Sequence, residues 1–514
     1  MFRVMTKKML ITMLSLTCLV VLCFSVVIAQ SINLDDKNAA AEGKIPLTLY
    51  HWDNGGHTET DLVYEVCEKF MEKYQHIYVN VEIISSYEQQ FQRFMASGNI
   101  PDVFCVPDGN FGSWVQTGVM LNLQEYYDNT ENIDKENIAQ SALQRYRWNG
   151  KTMGSGDLYC VPKDITPYVM YYNKDLFDKY KLPYPTDVEY WTELCKEYEL
   201  YPEIHQDKEI TAEDYDVIAQ TSVENGILDP YAALTMWIQF GYYRENGNKS
   251  TVSVDLKRNE LKLAKDHIYG VAKLYPEGLI WSNGADYLNA ERNEVLIDTP
   301  EFIEAYEFIQ KTQMEYAAAP TSAIIQSTSE KTLFLNGDAA CYIEGRSNTV
   351  DLRNKADFDW DIAPIPAFSA NQNCNGWSGS VGYGVYVNCK YPDEAYLLAE
   401  YFTSKEGQFI MAEAGFTAPL YSDEATIQRF LEIEEGKLPA NTEEFIRAAQ
   451  YQRPGLWQYL PSVKWKETLD IDSGAMFTDD RSQQALPSHF FSDECDKILN
   501  VIKADFPELF KGGQ

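Results

Sequence analysis

The residues of this chain best suited to chemistry are flat aromatics set beside hydrogen-bonding side chains in glycine-containing loops. The sharpest case is His51-Trp52-Asp53-Asn54-Gly55-Gly56-His57, where an indole, a carboxylate and a carboxamide surround two glycines. A sugar offers hydroxyls to polar groups and patches of ring C–H to aromatic faces, so this mixture suits a carbohydrate. The other reading is a capped turn with Trp52 packed inside. Asp108, in Val106-Pro107-Asp108-Gly109-Asn110, is a second ligand candidate or a plain turn residue. Trp457, in Pro454-Gly455-Leu456-Trp457-Gln458-Tyr459, is a further aromatic candidate. The chain holds 10 Trp and 35 Tyr, but half-buried strands also favour tyrosine, so abundance alone decides little.

Other chemistries find less support. His51 and His57 are six apart, which fits no trusted metal-ligand spacing, so no metal is expected. Gly376-Trp377-Ser378-Gly379-Ser380 misses the Gly-x-Ser-x-Gly nucleophile elbow, because Ser380 stands where the last glycine belongs. Without a phosphate-binding loop or dinucleotide fingerprint no cofactor is expected, and any ATP hydrolysis belongs to another chain. The 77 acidic residues could always supply a glycosidase pair, so a hydrolase stays open. A formal net charge of −34 repels nucleic acid and anionic lipid. Cysteines such as Cys67, Cys105, Cys160 and Cys341 are scattered at apolar positions, as buried free thiols would be; Cys374 and Cys389 are the closest pair in sequence.

These candidates need elements to hold them. Leu47 to His51 alternates as a strand, and Leu62, Val63, Val66, Cys67, Phe70 and Tyr74 mark one face of a helix over 60–74. A strand over 77–83, a helix over 88–96 and a strand over 102–106 follow, the signature of a parallel sheet with covering helices. Trp52, Asp53 and Asp108 then sit at carboxyl ends of strands, where open α/β sheets bind ligands. The pattern restarts at Pro167–Tyr172, with later strands over 339–343, 360–365 and 382–387 and a helix over 300–316. At 514 residues the chain exceeds one ordinary core and predicts two domains. Residues 198–256 read as an insertion. Arg3, Lys7 and Lys8 precede an apolar run from Met9 to Ala29, so residues 1–29 read as a signal peptide cut before Gln30, or as an uncleaved N-terminal anchor, with 30–44 as a tether.

Three stretches carry a family resemblance in order: Ala96-Ser97-Gly98-Asn99-Ile100-Pro101-Asp102-Val103-Phe104, Tyr171-Tyr172-Asn173-Lys174-Asp175-Leu176-Phe177, and Phe334-Leu335-Asn336-Gly337-Asp338-Ala339-Ala340. From about Leu47 to Ser422 the chain resembles the extracellular solute-binding proteins of bacterial ABC importers, the sugar-capturing kind. The resemblance implies an α/β, two-lobed periplasmic-binding-protein-like fold of type II. Each lobe would be a mixed or parallel sheet flanked by helices, with the ligand cleft between lobes. Carried over by position, lobe one holds 45–163 plus 318–366 and lobe two holds 167–315 plus 377–514. Crossings would fall near Lys163–Thr166, Ala317–Ser322 and Ala367–Gln372.

The same resemblance implies more ligand residues. Asp164 lies in Tyr159-Cys160-Val161-Pro162-Lys163-Asp164-Ile165, similar to the family's cleft-floor segment, with Lys163 as a possible surface charge. Tyr171 is core or cleft. In Tyr342-Ile343-Glu344-Gly345-Arg346, Glu344 is a candidate, and Arg346 stands where relatives commonly have tryptophan. Arginine can grip a carboxylate with two bonds, which brings in an acidic sugar such as a uronate, or it can simply pair with an acid of the protein. Trp377 and Tyr383 lie in a glycine-rich loop and strand that resemble the family's ligand-facing element.

The function implied is non-enzymatic: a monomeric binder captures a carbohydrate, closes over it, and delivers it to an ABC permease driven by a separate ATPase. It would be exported, either secreted or tethered at the cell surface, and periplasmic where an outer membrane exists. A surface sugar sensor of the same fold and a polysaccharide-active hydrolase are the alternatives.

Overall fold

A computed structural model describes residues 42–510 apart from 54–56, 199–210, 242–266, 414, 456–457, 463 and 478–483. Trp457, the export segment and most of the tether lie outside the described residues. The strands are, in chain order, β1 (Ile45–Trp52), β2 (Ile77–Ile84), β3 (Val103–Pro107), the short β4 (Arg147–Trp148) and β5 (Asp157–Leu158), β6 (Cys160–Pro162), β7 (Thr166–Asn173), β8 (Tyr269–Val271), β9 (Ala339–Gly345), β10 (Trp360–Ala363), β11 (Ser378–Gly379) and β12 (Val381–Val385).

The first sheet runs β2-β1-β3-β12-β6. β1 lies parallel to β2 and β3, with Leu49 between Val81 and Val103, while β12 is antiparallel to β3 and β6. Alternation fixes this register: Leu47 and Leu49 are fully buried, and a one-residue slip would turn both to the other face. The helix His57–Lys73 covers the sheet with Val63, Val66, Cys67 and Phe70, the face its spacing predicts. Each such side chain contributes about 1.5–3 kcal/mol by leaving water. The second sheet runs β10-β7-β9-β8, with β11 added to β7. There β7 is antiparallel to β9, β10 and β11, and β8 is parallel to β9.

This pairing corrects the expected lobe boundaries. Residues 318–366 supply β9 and β10, which join β7 in the second sheet rather than the first. β12, expected in lobe two, bridges β3 and β6 of the first sheet, and the helix Pro392–Thr403 packs on it there. Hydrophobic pattern declares that a segment is a strand. It says nothing of which sheet supplies the partner.

Of the three expected crossings, Lys163–Thr166 lies where the chain passes from β6 of the first sheet to β7 of the second. The other two do not occur where expected, because the strands on either side of 317–322 and of 367–372 all belong to the second sheet. The chain returns instead at Ser380, between β11 and β12, and a further segment passes through Thr417. The three segments are bonded together: Lys163 N–H donates to Val381 O at 2.7 Å, Ser380 Oγ to Asp164 O at 2.7 Å, and Ala418 N–H to Ile165 O at 3.2 Å.

Part of the expected insertion is core. Within 198–256, the helix Ala212–Asn225 starts with a Thr211–Asp214 capping box, and every residue of the helix Pro230–Gly241 is buried. The described cysteines are free, most of them buried, including Cys374. Among the described residues no helix is long and apolar enough to cross a membrane.

Candidate functional site

The parallel strands of the first sheet carry a polar rim at their carboxyl ends. Trp52 ends β1, followed by the exposed Asp53, which accepts from Ser85 Oγ at 3.2 Å. Both line an open pocket of about 360 Å³ with Ser86, Tyr87, Glu88 and Gln89. Glu88 accepts from Asn110 Nδ2 at 3.5 Å, and this leads to Asp108 in the first turn of the helix Asp108–Val115. Asp108 is 6 % exposed, and its carboxylate pairs with Arg145 at 2.8 Å. Burial pushes Asp108 up to about 6 even though Arg145 pulls it down.

Arg145 ties this rim to the second lobe. Its guanidinium also donates to the carbonyl and hydroxyl of Ser378 on β11, and its Nε to Ser141 O at 3.0 Å. Five fixed donors on one plane make arginine suited to such a junction.

Beside Ser378 lies an aromatic shelf. Trp377 stacks on Tyr168 with centroids 4.7 Å apart and planes at 26°, and Tyr275 sets its edge against Tyr168 at 5.0 Å and against Trp377 at 6.2 Å. Glu344 accepts from Tyr275 Oη at 3.1 Å, Tyr342 Oη at 3.3 Å and Gly345 N–H at 2.9 Å, and it pairs with Lys273 at 3.2 Å. Burial, then Glu344, and more weakly Asp108 push the Tyr168 hydroxyl above its ordinary range. Stacked rings with a carboxylate beside them can take up the flat C–H face and the hydroxyls of a polar ring, respectively.

Beneath the rim is a buried ionic floor. Lys163 Nζ lies 2.8 Å from Glu59 and 2.8 Å from Asp164, and all three are at most 4 % exposed. Glu59 also accepts from Trp52 Nε1 at 3.1 Å, and Asp164 accepts from Val381 N–H at 2.7 Å. Burial resists ionisation of Glu59, but Lys163 and His51 hold it well below the usual carboxylate range. Burial likewise opposes the Lys163 charge, and Asp164 with Glu59 raises it above the ordinary lysine value. His51, fully buried, is lowered by burial and shares a 3.1 Å hydrogen bond with Tyr383 Oη.

Of the predicted residues, Trp52, Asp53 and Asp108 lie along the first-lobe rim, and Glu344 and Trp377 in the shelf cluster. Four others need correction. Asp164 is enclosed in the hinge, and Lys163 is its ion-pair partner rather than a surface charge. Tyr171 is fully buried and donates to Gly345 O at 3.1 Å. Tyr383 is fully buried beside His51. Arg346 is fully buried, with its guanidinium 4.8 Å from the Phe430 ring and 4.3 Å from Phe445, its Nε donating to Thr417 O at 2.7 Å and its Nη2 paired with the Glu434 carboxylate at 3.3 Å. It is not placed to grip a ligand carboxylate. Trp457 lies outside the described residues.

Sequence reasoning missed Tyr168, Tyr275, Lys273 and Arg145. Tyr168 was within reach: β7 enters the second lobe at Thr166, so its first residues, not Tyr171, lie nearest the crossing. The other three give no local signal. A surface cavity of about 820 Å³ within residues 428–443 is lined by none of the predicted site residues. Among the described residues no cluster of His, Cys, Asp and Glu could hold a metal.

The sequence model of the bacterial extracellular solute-binding proteins matches residues 65–435. No curated protein matches the chain by sequence. Solved structures of similar fold include the ABC substrate-binding protein Lmo0181 of Listeria monocytogenes in complex with cycloalternan, with 18 % identity and a TM-score of 0.63 over 89 % of this chain and 99 % of that one. The sugar-binding protein MalE of Xanthomonas citri has 15 % identity and a TM-score of 0.61 over 91 % and 100 %. UgpB of Mycobacterium tuberculosis, in complex with glycerophosphocholine, has 14 % identity and a TM-score of 0.60 over 90 % and 99 %. At these identities the likeness establishes the two-lobed α/β fold.

Proposed function

The chain belongs to the bacterial extracellular solute-binding proteins, and within that family we propose that it captures a carbohydrate between its lobes and delivers it to the permease of an ABC importer whose ATPase is a separate chain. The Trp377–Tyr168 stack, edged by Tyr275 and backed by Glu344, carries this reading. Such a shelf binds the C–H face of a sugar ring, and the Asp108 rim opposite supplies an acceptor for its hydroxyls. Because a ligand touches both lobes only when they are shut, its binding shifts the population toward the closed form, the form a permease recognises. The protein acts at the outer face of the cell after export, and as a binder it leaves the sugar intact. That similar folds hold cycloalternan or carry the sugar-binding description supports the reading.

Titration calorimetry of the purified chain against mono- and oligosaccharides, with chromatography of each ligand afterwards, tests it. One or more sugars should bind and be recovered uncleaved, and Trp377→Ala should weaken that binding about 30-fold, the size expected for a central aromatic anchor. Cleaved sugar would move the reading to the hydrolase, and silence across the panel would end it.

Affinity should also depend on pH. Burial pushes Asp108 up to about 6, so its carboxylate is expected to accept hydroxyls fully only above that pH. We expect affinity to rise between pH 5 and pH 7, and the rise to vanish in Asp108→Asn. A flat profile in the unmodified protein would remove Asp108 from the ligand's contacts.

A further inference from the structure

Charge at this site selects among carbohydrates. Resting on the carbohydrate reading above, we infer that the ligand is a neutral sugar, and that Glu344 enforces this by neutralising Lys273 at the edge of the aromatic shelf. Lys273 is the obvious cation for an acidic sugar: its side chain is 31 % exposed, and its ammonium lies 4.5 Å from the centroid of Tyr275. Yet that ammonium is committed to Glu344 at 3.2 Å, a carboxylate itself only 15 % exposed and further held by Tyr275, Tyr342 and the Gly345 N–H.

The other cations near the site are matched in the same way. Arg145 is paired with Asp108, Lys163 with Glu59 and Asp164, and Arg453, whose backbone bridges to Trp377, with Asp286 at 3.2 Å. Asp53 and Glu88 add carboxylates on the rim of the first sheet. A uronate would therefore bring an uncompensated negative charge toward the poorly solvated carboxylates of Asp108 and Glu344, which is strongly unfavourable. Neutral hydroxyls face no such penalty, since each can donate to a carboxylate and accept from an ammonium or a tyrosine. Discrimination of this kind comes from building against the wrong ligand as much as from fitting the right one.

The experiment is calorimetry of the purified chain at pH 7 with maltotriose, cellotriose and mannotriose set against trigalacturonate. At least one neutral trisaccharide should bind, and trigalacturonate should bind roughly 30-fold more weakly or worse. Glu344→Gln releases Lys273 and should shrink that ratio below about 5-fold, and adding Lys273→Gln should restore the exclusion. If Glu344→Gln fails to fold, the ratio of trigalacturonate to neutral binding in the unmodified protein still tests the exclusion. Equal binding of acid and neutral sugar by the unmodified protein overturns the inference while leaving the carbohydrate function standing. So does an unchanged ratio in a folded Glu344→Gln protein. Binding of no trisaccharide overturns the carbohydrate function and this inference together.

Discussion

Lys163→Met should destabilise the protein by about 3–5 kcal/mol, the largest single-residue effect we expect, because it strands two buried carboxylates. Lys163 is fully buried, and Glu59 and Asp164 each lie 2.8 Å from its ammonium with almost no access to water. Methionine restores the volume and the apolar stem but not the charge. Glu59→Gln should cost less, about 1–3 kcal/mol, since Asp164 still pairs the lysine and the amide can still accept from the Trp52 indole.

The pH dependence separates these terms. Glu59 has its folded pKa below the unfolded value of about 4.3, so its stabilisation is complete above that pH and fades as pH falls below it. Lys163 has its folded pKa above the unfolded value of about 10.4, so its contribution is complete below that pH and fades above it. The stability gap between the natural protein and Glu59→Gln, from urea unfolding, should therefore be level from pH 5 to 9 and narrow below about 4. A Lys163→Met protein within 1 kcal/mol of the natural one would mean that these charges are hydrated and the network is not a structural floor.

Arg346→Met should lower stability by about 2–4 kcal/mol and leave ligand affinity unchanged. The guanidinium lies between Phe430 and Phe445 and, with Arg353, faces Glu434, which is 3 % exposed. Removing Arg346 deletes those ring contacts, empties the donor to Thr417 O, and leaves Glu434 to Arg353 alone. The loss is smaller than at Lys163 because one cation remains. Thermal unfolding and calorimetry on the same variant decide the matter. A weakened ligand with unchanged melting temperature would return Arg346 to the binding site, against its burial.

The parts of this protein readable in advance are those that depend on near neighbours along the chain. The alternation of Leu47 and Leu49, the helical face of Val63, Val66, Cys67 and Phe70, and the turn after each strand are local. They are enough to set Trp52, Asp53 and Asp108 at the carboxyl edge of a parallel sheet. Which sheet receives β9, β10 and β12 is another matter, since each could pair equally well by pattern and the partner lies tens to hundreds of residues away. The same holds for individual charges. Arg346 reads as a grip for a ligand carboxylate or as the partner of an unspecified acid until Phe430, Glu434 and Phe445 arrive from over 80 residues downstream, and Lys163 reads as a surface charge until Glu59 meets it from 104 residues upstream. Tyr168 and Tyr171 share one strand, yet only the crossing at Thr166 sets the first at the cleft and the second in the core. Sequence alone determined the kinds of element, the chemistry they could carry and the family. The tertiary structure decided which carboxylates are neutralised, which aromatics stack and where the lobes divide, because burial and pairing are properties of groups brought together from distant parts of the chain.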